Sequence, residues 1–221
     1  MQLEILEEFS SRVSDYRAFI IEADVCNGPT GSAQKEEMES LANDIAARYE
    51  VSDINKIPAI AATRAAYKLC GKDPNRYRPS QEQLTRRVVR GLGLYNVNAL
   101  VDAGNEFSLL TGCSIGCFDR DKISGDSLTL GVGHKDEPYE GIGRGPLNIE
   151  GLPIFRDAEG GIGTPTSDNE RTKIEESSRH LLSTIHIFDP TLDADELLRV
   201  FTELFEKHAK AENIRATLYH C

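Results

Sequence analysis

The hydrophobic pattern changes within residues 98–123, whose sequence is NALVDAGNEFSLLTGCSIGCFDRDKI. In the first half, apolar side chains recur every three or four residues, which is the period of an amphipathic helix. Gly112 follows, and glycine commonly ends a helix because it adopts a left-handed conformation without strain. Residues 114–118 are then typical of a short strand. We therefore predict a helix over residues 97–110 that ends at Gly112 and leads into a strand.

Helical patterns precede this segment, after one early strand, and strand patterns follow it. The predicted strands cover residues 17–25, 114–118, 127–132, 153–156, 181–188 and 214–219. The predicted helices cover residues 32–49 and 59–69, begin near 80 and 97, and begin again after 193. Helices first, strands later and a closing helix–strand unit favour an α+β fold over a doubly wound sheet. No Pro-, Gly- and Ser-rich linker divides the chain, which predicts a single domain over residues 1–221.

The charge of the chain is unevenly distributed. Its formal net charge is −11, which repels a phosphate backbone, so bulk electrostatic capture of nucleic acid is not expected and DNA is not a predicted partner. The stretch from Arg64 to Arg90 is the exception, with eight basic and two acidic residues and a local net charge of +6. This basic stretch is either a contact for a polyanion or the solvated faces of two helices.

Cysteine spacing and the N-terminal residues bear on cofactors and compartment. Five cysteines at irregular spacings predict no disulfide framework, and Cys113 and Cys117 lack a second ligand pair at zinc-finger spacing. We predict no metal and no cofactor. The first residues are acidic and lack the basic start of a secretion signal. No apolar run approaches the roughly 18 residues of a membrane helix, so the predicted compartment is the cytoplasm, without membrane contact.

Residues 95–123 resemble the B3/B4 domain of the phenylalanyl-tRNA synthetase beta subunit. In that family an N-x-x-V-D-x-x-N helix leads to a G-Q-P-x-H-x-F-D-x-D-K-I turn. The present chain has Asn98, Val101, Asp102 and Asn105 at the helix positions, and GCSIGCFDRDKI at the turn. The resemblance implies an α+β, B3/B4-type domain of three layers, with a β-sandwich-like core and flanking helices.

The resemblance also implies a function. In the synthetase this domain contains an editing pocket that hydrolyses tyrosine misattached to tRNA. A freestanding copy is expected to bind tRNA or aminoacyl-tRNA and, as a deacylase, to hydrolyse a mischarged ester in trans; it lacks the class II core needed to aminoacylate tRNA. Gly116 stands at the family's histidine position, and residues 164–166 offer no glutamate where the family has one. The editing chemistry therefore does not transfer residue by residue.

Several polar side chains are candidates to bind the ligand. They are Asn98, Asp102, Glu140, Arg144, Asp168 and Arg171. Asn98 and Asp102 share a helix face, where a cap or a buried network is an equally good explanation. Glu140 and Arg144 lie in the glycine-rich segment and suit the ammonium and carboxyl groups of an amino acid. Asp168 and Arg171 are expected to face each other at the rim of the same pocket.

Four further residues are assigned to catalysis or to RNA. His134 lies in the glycine-rich segment and is the candidate for proton transfer, with amides of the glycine loops as donors to an oxyanion. Arg86, Arg87 and Arg90 are the predicted contacts with tRNA. Two alternatives stay open: a non-catalytic binding module for a small amino-acid-like ligand, and a structural domain that binds a protein partner and keeps a relict pocket.

Overall fold

The computed structural model describes all residues from 1 to 221. The six helices are α1 (Glu7–Ser10), α2 (Ser32–Arg48), α3 (Pro58–Cys70), α4 (Ser80–Val89), α5 (Ala99–Thr111) and α6 (Ala194–Ala209). The long strands are β1 (Gln2–Ile5), β2 (Arg17–Asp24), β3 (Ser114–Asp119), β4 (Ser127–Val132), β7 (Pro153–Arg156), β8 (Gly161–Thr164), β10 (His180–Ile187) and β11 (Glu212–His220). Three two-residue strands complete the set: β5 (Glu140–Gly141), β6 (Gly145–Pro146) and β9 (Ser167–Asp168). No helix is both long and apolar enough to cross a membrane.

The strands form two large sheets and one small hairpin. One sheet has the order β1-β4-β7-β8-β9, in which β1 runs parallel to β4 and the other neighbours are antiparallel. The second sheet has the order β11-β2-β10-β3 and is antiparallel throughout. The hairpin is β5-β6. Strand β3 is therefore the edge of the second sheet, and β9 is an edge of the first.

The first apolar core lies between the two large sheets. Alternate residues of β2 and β10 enter this core, among them Ile20 and Leu182. They meet Leu130 and Phe155 of the five-stranded sheet, and Phe118 of β3 joins them. Each of these large side chains is almost fully buried, which stabilises the fold by about 1.5–3 kcal/mol per residue relative to exposure.

Helices α5 and α6 cover the other face of the four-stranded sheet. Phe19 and Ile21 of β2 point to this side because successive side chains of a strand alternate between faces. Phe107 of α5 packs edge to face against Phe201 of α6, with 6.4 Å between the ring centroids. The molecule thus has three layers, sheet, sheet and helix, which confirms the predicted α+β fold with a sandwich-like core.

Helix α4 is fixed against α3 and β3 by buried polar groups. The Gln81 side chain is fully buried; its amide donates to Thr63 Oγ1 of α3 at 3.1 Å, and its oxygen accepts from Ser114 Oγ of β3. The backbone N–H of Ser80 donates to Pro165 O at 2.7 Å, in the turn between β8 and β9. These bonds link the start of α4 to both large sheets.

Glu82 of α4 is a fully buried carboxylate that is held by arginines. Arg64 Nη1 of α3 donates to Oε2 at 2.8 Å, and Arg86 Nε donates to Oε1 at 2.8 Å. A third guanidinium, that of Arg78, lies 3.9 Å from Oε1. Arg86 also donates to Val51 O at 3.1 Å, which leads from this cluster to the loop before α3.

Most predicted elements agree with the structure to within a few residues. Helix α5 begins at Ala99 and ends at Thr111, and the next residue, Gly112, has a left-handed φ of 73°. Strand β3 extends one residue beyond its predicted end. The sequence patterns did not predict β1, which has only four residues, including Gln2 and Glu4. It is a strand because it pairs with β4. The strands β5, β6, β8 and β9 were also missed: glycines interrupt the first three, and β9 has only two residues, both polar.

Replacement of Glu82 by glutamine is expected to destabilise the fold by about 3 kcal/mol. Removal of one partner leaves the other charges of a buried ion pair uncompensated, and Arg64 and Arg86 are only 12% and 15% exposed. Urea unfolding measures the change. The matched control is Glu203→Gln, which breaks the exposed pair between Glu203 and Arg199 of α6 and is expected to leave the urea midpoint nearly unchanged.

Candidate functional site

Helix α5 approaches strand β3 closely at Gly104. A Cβ atom at this position would lie 3.2 Å from Cys117 Sγ and 3.7 Å from Ile115 Cγ2. Ile115 and Cys117 point toward α5 because they alternate with Ser114, Gly116 and Phe118, which face the first core. The missing side chain of Gly104 thus permits close packing of helix on strand.

A cavity of about 460 Å³ opens beside this contact, between α5, β3 and β9. Its apolar lining consists of Leu84, Val97, Val101, Ile115, Ile142 and Ile174. The polar lining includes Asn105, Ser167 and Lys173, and a single carboxylate, that of Asp168. We call this the Asp168 cavity. Apolar walls with a few convergent polar groups are typical of sites for small ligands, and the volume lies in the range of such sites.

The Asp168 carboxylate has no cationic partner. Its Oδ2 accepts the backbone N–H of Cys117 at 3.2 Å, and no salt bridge reaches it. Burial raises the pKa of Asp168 to about 7, although the bond from the Cys117 amide lowers it. The other charged group in the lining, Lys173, is paired with Glu170. Asp168 is therefore a carboxyl group that gains or loses a proton near neutral pH and is available to a cation.

A second cavity, of about 390 Å³, adjoins the first. Five arginines line it: Arg78, Arg86, Arg87, Arg90 and Arg144. No acidic residue contributes to its lining. Ser80, Leu84 and Asn105 line both cavities, so the two are neighbours at the start of α4. We call the second one the arginine cavity; it suits an anion of more than one charge.

The five arginines differ in how far they are already engaged. Arg86 is committed to Glu82 and Val51. Arg87 stacks on the Tyr95 ring, with 3.8 Å from guanidinium carbon to centroid, and donates to the Tyr95 hydroxyl at 2.8 Å. Arg144 donates to Gln83 Oε1 at 2.6 Å. Arg90 is exposed and makes no ion pair, so it and Arg144 are the most available to a ligand.

Of the predicted site residues, Arg86, Arg87, Arg90, Arg144 and Asp168 lie together around these two cavities. They come from α4, the β5–β6 hairpin and β9, so their proximity depends on the fold. The remaining predicted residues line neither cavity.

Asn98 and Asp102 have structural roles at the start of α5. Asn98 Oδ1 accepts the Val101 N–H at 3.0 Å and caps the helix. Asp102 is fully buried; it accepts from Thr30 Oγ1 at 2.5 Å and from the Val97 N–H at 3.2 Å. Their acceptor oxygens satisfy backbone and hydroxyl donors, so their assignment to substrate binding stays a prediction that the geometry of the two cavities does not support.

His134, Glu140 and Arg171 also lie outside both cavities. His134 is 65% exposed and its Nε2 lies 3.3 Å from Glu8 Oε2, near the end of β4. Glu140 is exposed on β5. Arg171 pairs with Asp157 at 2.7 Å instead of with Asp168, because Asp168 ends β9 with its carboxylate directed to the Cys117 amide. His134 is thus not placed for proton transfer at Asp168.

The glycine-rich segment is closely packed at some of its glycines, whereas Gly143, Gly145 and Gly160 face open space. A Cβ at Gly133 would lie 2.0 Å from Ile149 O, and one at Gly161 would lie 2.6 Å from Ile154 Cδ1. Gly116 and Gly163 both lie under the Phe118 ring, whose Cζ would be 2.5 Å from a Cβ at either position. At these positions glycine permits close packing. The Phe118 ring also fills the space that an imidazole at position 116 would need.

Comparisons with known proteins identify the family of the chain. Residues 62–221 match the family model of the B3/4 domain. The chain therefore belongs to the B3/4 domain family.

One solved structure resembles the chain over most of its length. It is an N-terminal fragment of the phenylalanyl-tRNA synthetase beta subunit from Pyrococcus horikoshii, with 12% sequence identity and a TM-score of 0.49. The likeness covers 97% of the present chain and 50% of that fragment, so the chain spans half of its length. No curated protein matches the chain.

The raised pKa of Asp168 predicts a stability that depends on pH. The folded state binds a proton more tightly than the unfolded state, so the free energy of unfolding falls as the pH rises from about 4 to about 7. Asp168→Asn is expected to raise the melting temperature at pH 8, with the gain becoming smaller at pH 5 and disappearing near pH 4. The exposed control Glu140→Gln is expected to show no such trend. If Asp168→Asn lowered the melting temperature equally at pH 8 and pH 5, the raised pKa of Asp168 would be contradicted.

Proposed function

We propose that this chain binds the aminoacyl end of a tRNA. The aminoacyl group occupies the Asp168 cavity, and the terminal sugar–phosphate backbone lies in the arginine cavity. The observation that carries the proposal is that the two cavities are neighbours, with Ser80, Leu84 and Asn105 in the lining of both. One cavity offers a carboxylate and apolar walls, and the next offers guanidinium groups, in the order in which an aminoacyl nucleotide presents ammonium, side chain and phosphate.

Asp168 is the proposed partner of the amino acid's ammonium group. Above a pH of about 7 it is a carboxylate, and a charge-assisted bond to an ammonium group offsets the free energy that its burial costs. The apolar walls, such as Val101, Ile115 and Ile174, then contact the side chain of the amino acid. An apolar amino acid fits this lining better than a charged one.

The arginines are the proposed contacts with phosphate. Arg90 and Arg144 have guanidinium groups that no carboxylate neutralises, and Arg87 is held in place by Tyr95. They form a local positive region on a chain of net charge −11, which favours a small number of specific phosphate contacts over bulk attraction. Membership of the B3/4 family is consistent with tRNA as the source of these phosphates.

Hydrolysis of the aminoacyl ester is the second part of the proposal. Asp168 is the single carboxylate in the lining, and a pKa near 7 suits a group that accepts a proton from water at neutral pH. Cys117 does not serve as a nucleophile, because burial raises the pKa of its thiol well above neutral pH. If Asp168 holds only the ammonium group, the chain is a binding module for an amino-acid-like ligand and leaves the ester intact.

Loss of Arg90 and Arg144 is expected to weaken tRNA binding. The double variant Arg90→Gln, Arg144→Gln removes two charge-assisted contacts, each of about 1.5–3 kcal/mol, so affinity should fall at least about 100-fold. The slope of log affinity against log salt should decrease by about two. Filter binding or anisotropy over a salt series measures both quantities. Arg86 is left in place because it holds Glu82.

The control for this pair is Arg199→Gln, which removes an exposed arginine of α6 that lies outside the arginine cavity. It is expected to retain the affinity and salt slope of the parent protein. Equal affinities for all three proteins would overturn the assignment of the arginine cavity to phosphate.

Deacylation of a panel of aminoacyl-tRNAs separates the two parts of the proposal. If Asp168 accepts the proton, the rate above the uncatalysed background should rise about tenfold from pH 6 to pH 8, as its carboxylate fraction grows. Asp168→Asn should abolish that excess rate, and Glu140→Gln should keep it. Binding without deacylation, together with a melting temperature raised by free amino acids, would assign the chain to non-catalytic binding. No effect of Asp168→Asn on binding or rate would exclude this cavity.

A further inference from the structure

A separate cluster of ionisable groups joins helices α2, α5 and α6. Glu37 of α2, Glu106 of α5 and His208 of α6 offer ligand atoms that all lie within 4.8 Å of one another. His208 Nε2 lies 3.3 Å from Glu37 Oε2 and 3.8 Å from Glu106 Oε1. Bonds of about 2.0–2.2 Å to a tetrahedral ion place neighbouring donors roughly 3.3–3.6 Å apart, so these separations suit one shared ion.

The His208 ring nitrogen is the observation that points to a ligand. The side chain is only 6% exposed, and its buried Nε2 makes no hydrogen bond, although it is directed at the two carboxylates. A buried polar atom without a partner is costly, and native proteins rarely leave one. A metal ion between the three side chains supplies that partner.

We propose that Glu37, Glu106 and His208 bind a divalent transition-metal ion, with zinc as the best fit. One imidazole and two carboxylates are ligands that zinc accepts, whereas magnesium and calcium favour oxygen ligands alone. The fourth position is left for water.

The surroundings of the cluster support this assignment. Gln34 is buried and donates to Glu106 Oε1 at 3.1 Å and to Ala99 O at 3.0 Å, which orients the Glu106 carboxylate. Glu106 has no cationic group in bonding contact, and burial raises its pKa to about 7. Hydrogen bonds of this kind to a ligating carboxylate are common around metal ions and strengthen binding.

Lys207 is the competitor of the ion. Its Nζ donates to both oxygens of Glu37 at 2.7 Å, and its side chain is 57% exposed. An ion that binds Glu37 displaces this ammonium group into solvent. Substitutions in the cluster are therefore expected to change metal affinity in opposite directions. Loss of Glu37, Glu106 or His208 should lower the affinity, and loss of Lys207 should raise it.

Thermal unfolding of the full chain with zinc chloride, after treatment with a chelator, tests the proposal. Zinc should raise the melting temperature in a concentration-dependent manner, since an ion that binds only the folded state stabilises it. Magnesium and calcium should not. Glu37→Gln and His208→Gln should reduce zinc affinity by at least the roughly 10–100-fold that follows loss of a hydrogen-bonded partner of a ligand. Lys207→Ala should increase zinc affinity.

Two controls make the outcome decisive. Glu203→Gln alters an exposed carboxylate of α6, the helix that carries His208. Zinc should still raise the melting temperature of this variant. Cys26 and Cys221 are exposed thiols, so the double variant Cys26→Ser, Cys221→Ser should also retain this effect, and cobalt should bind without a thiolate charge-transfer band. The proposal is overturned if zinc has no effect, if Glu37→Gln binds as well as the parent, or if the cysteine variant alone loses binding. Because the Glu37 side chain is 39% exposed, its variant is expected to fold, which its melting temperature without metal verifies.

Discussion

The buried carboxylate of Glu82 determines where the positive face of α4 lies. A carboxylate that is removed from water requires compensation, and the guanidinium groups of Arg64 and Arg86 supply it from α3 and from the next turn of α4. The helix can then pack in only one rotation, which leaves Arg87 and Arg90 directed toward the arginine cavity. The charged rim of the candidate site is thus a consequence of an ion pair in the interior.

The two halves of the candidate site are connected by backbone as well as by shared walls. The bond from Ser80 N to Pro165 O joins the first turn of α4 to the turn that leads into β9, and hence to Asp168. Asp168 in turn accepts from the Cys117 amide of the other sheet. A displacement of α4 is therefore expected to move the arginines and disturb the position of Asp168 together, because these hydrogen bonds link the two cavities.

The sequence predicted the elements well and the site only in part, for physical reasons that particular residues illustrate. The helix before Gly112 and the strand after it follow from local hydrophobic period and backbone freedom, which neighbouring residues determine. The hydrogen-bond partner of Asp168 is the Cys117 amide, 51 residues away in the sequence. The local sequence around Asp168 gives no reason to expect this partner in place of the nearby Arg171. Likewise, Asn98 and Asp102 share a helix face with Asn105, yet only Asn105 lines the cavities. The other two side chains accept hydrogen bonds from groups at the start of the helix.

The Phe118 ring restricts the side chains that positions 116 and 163 can accept. The ring lies against Gly116 and Gly163, one from each large sheet. The residues at positions 116 and 163 therefore determine which rotamer Phe118 can adopt. A side chain at position 116 or 163 requires the Phe118 ring to turn into another rotamer, so these two glycines and one aromatic side chain are coupled in space although the glycines lie on different sheets.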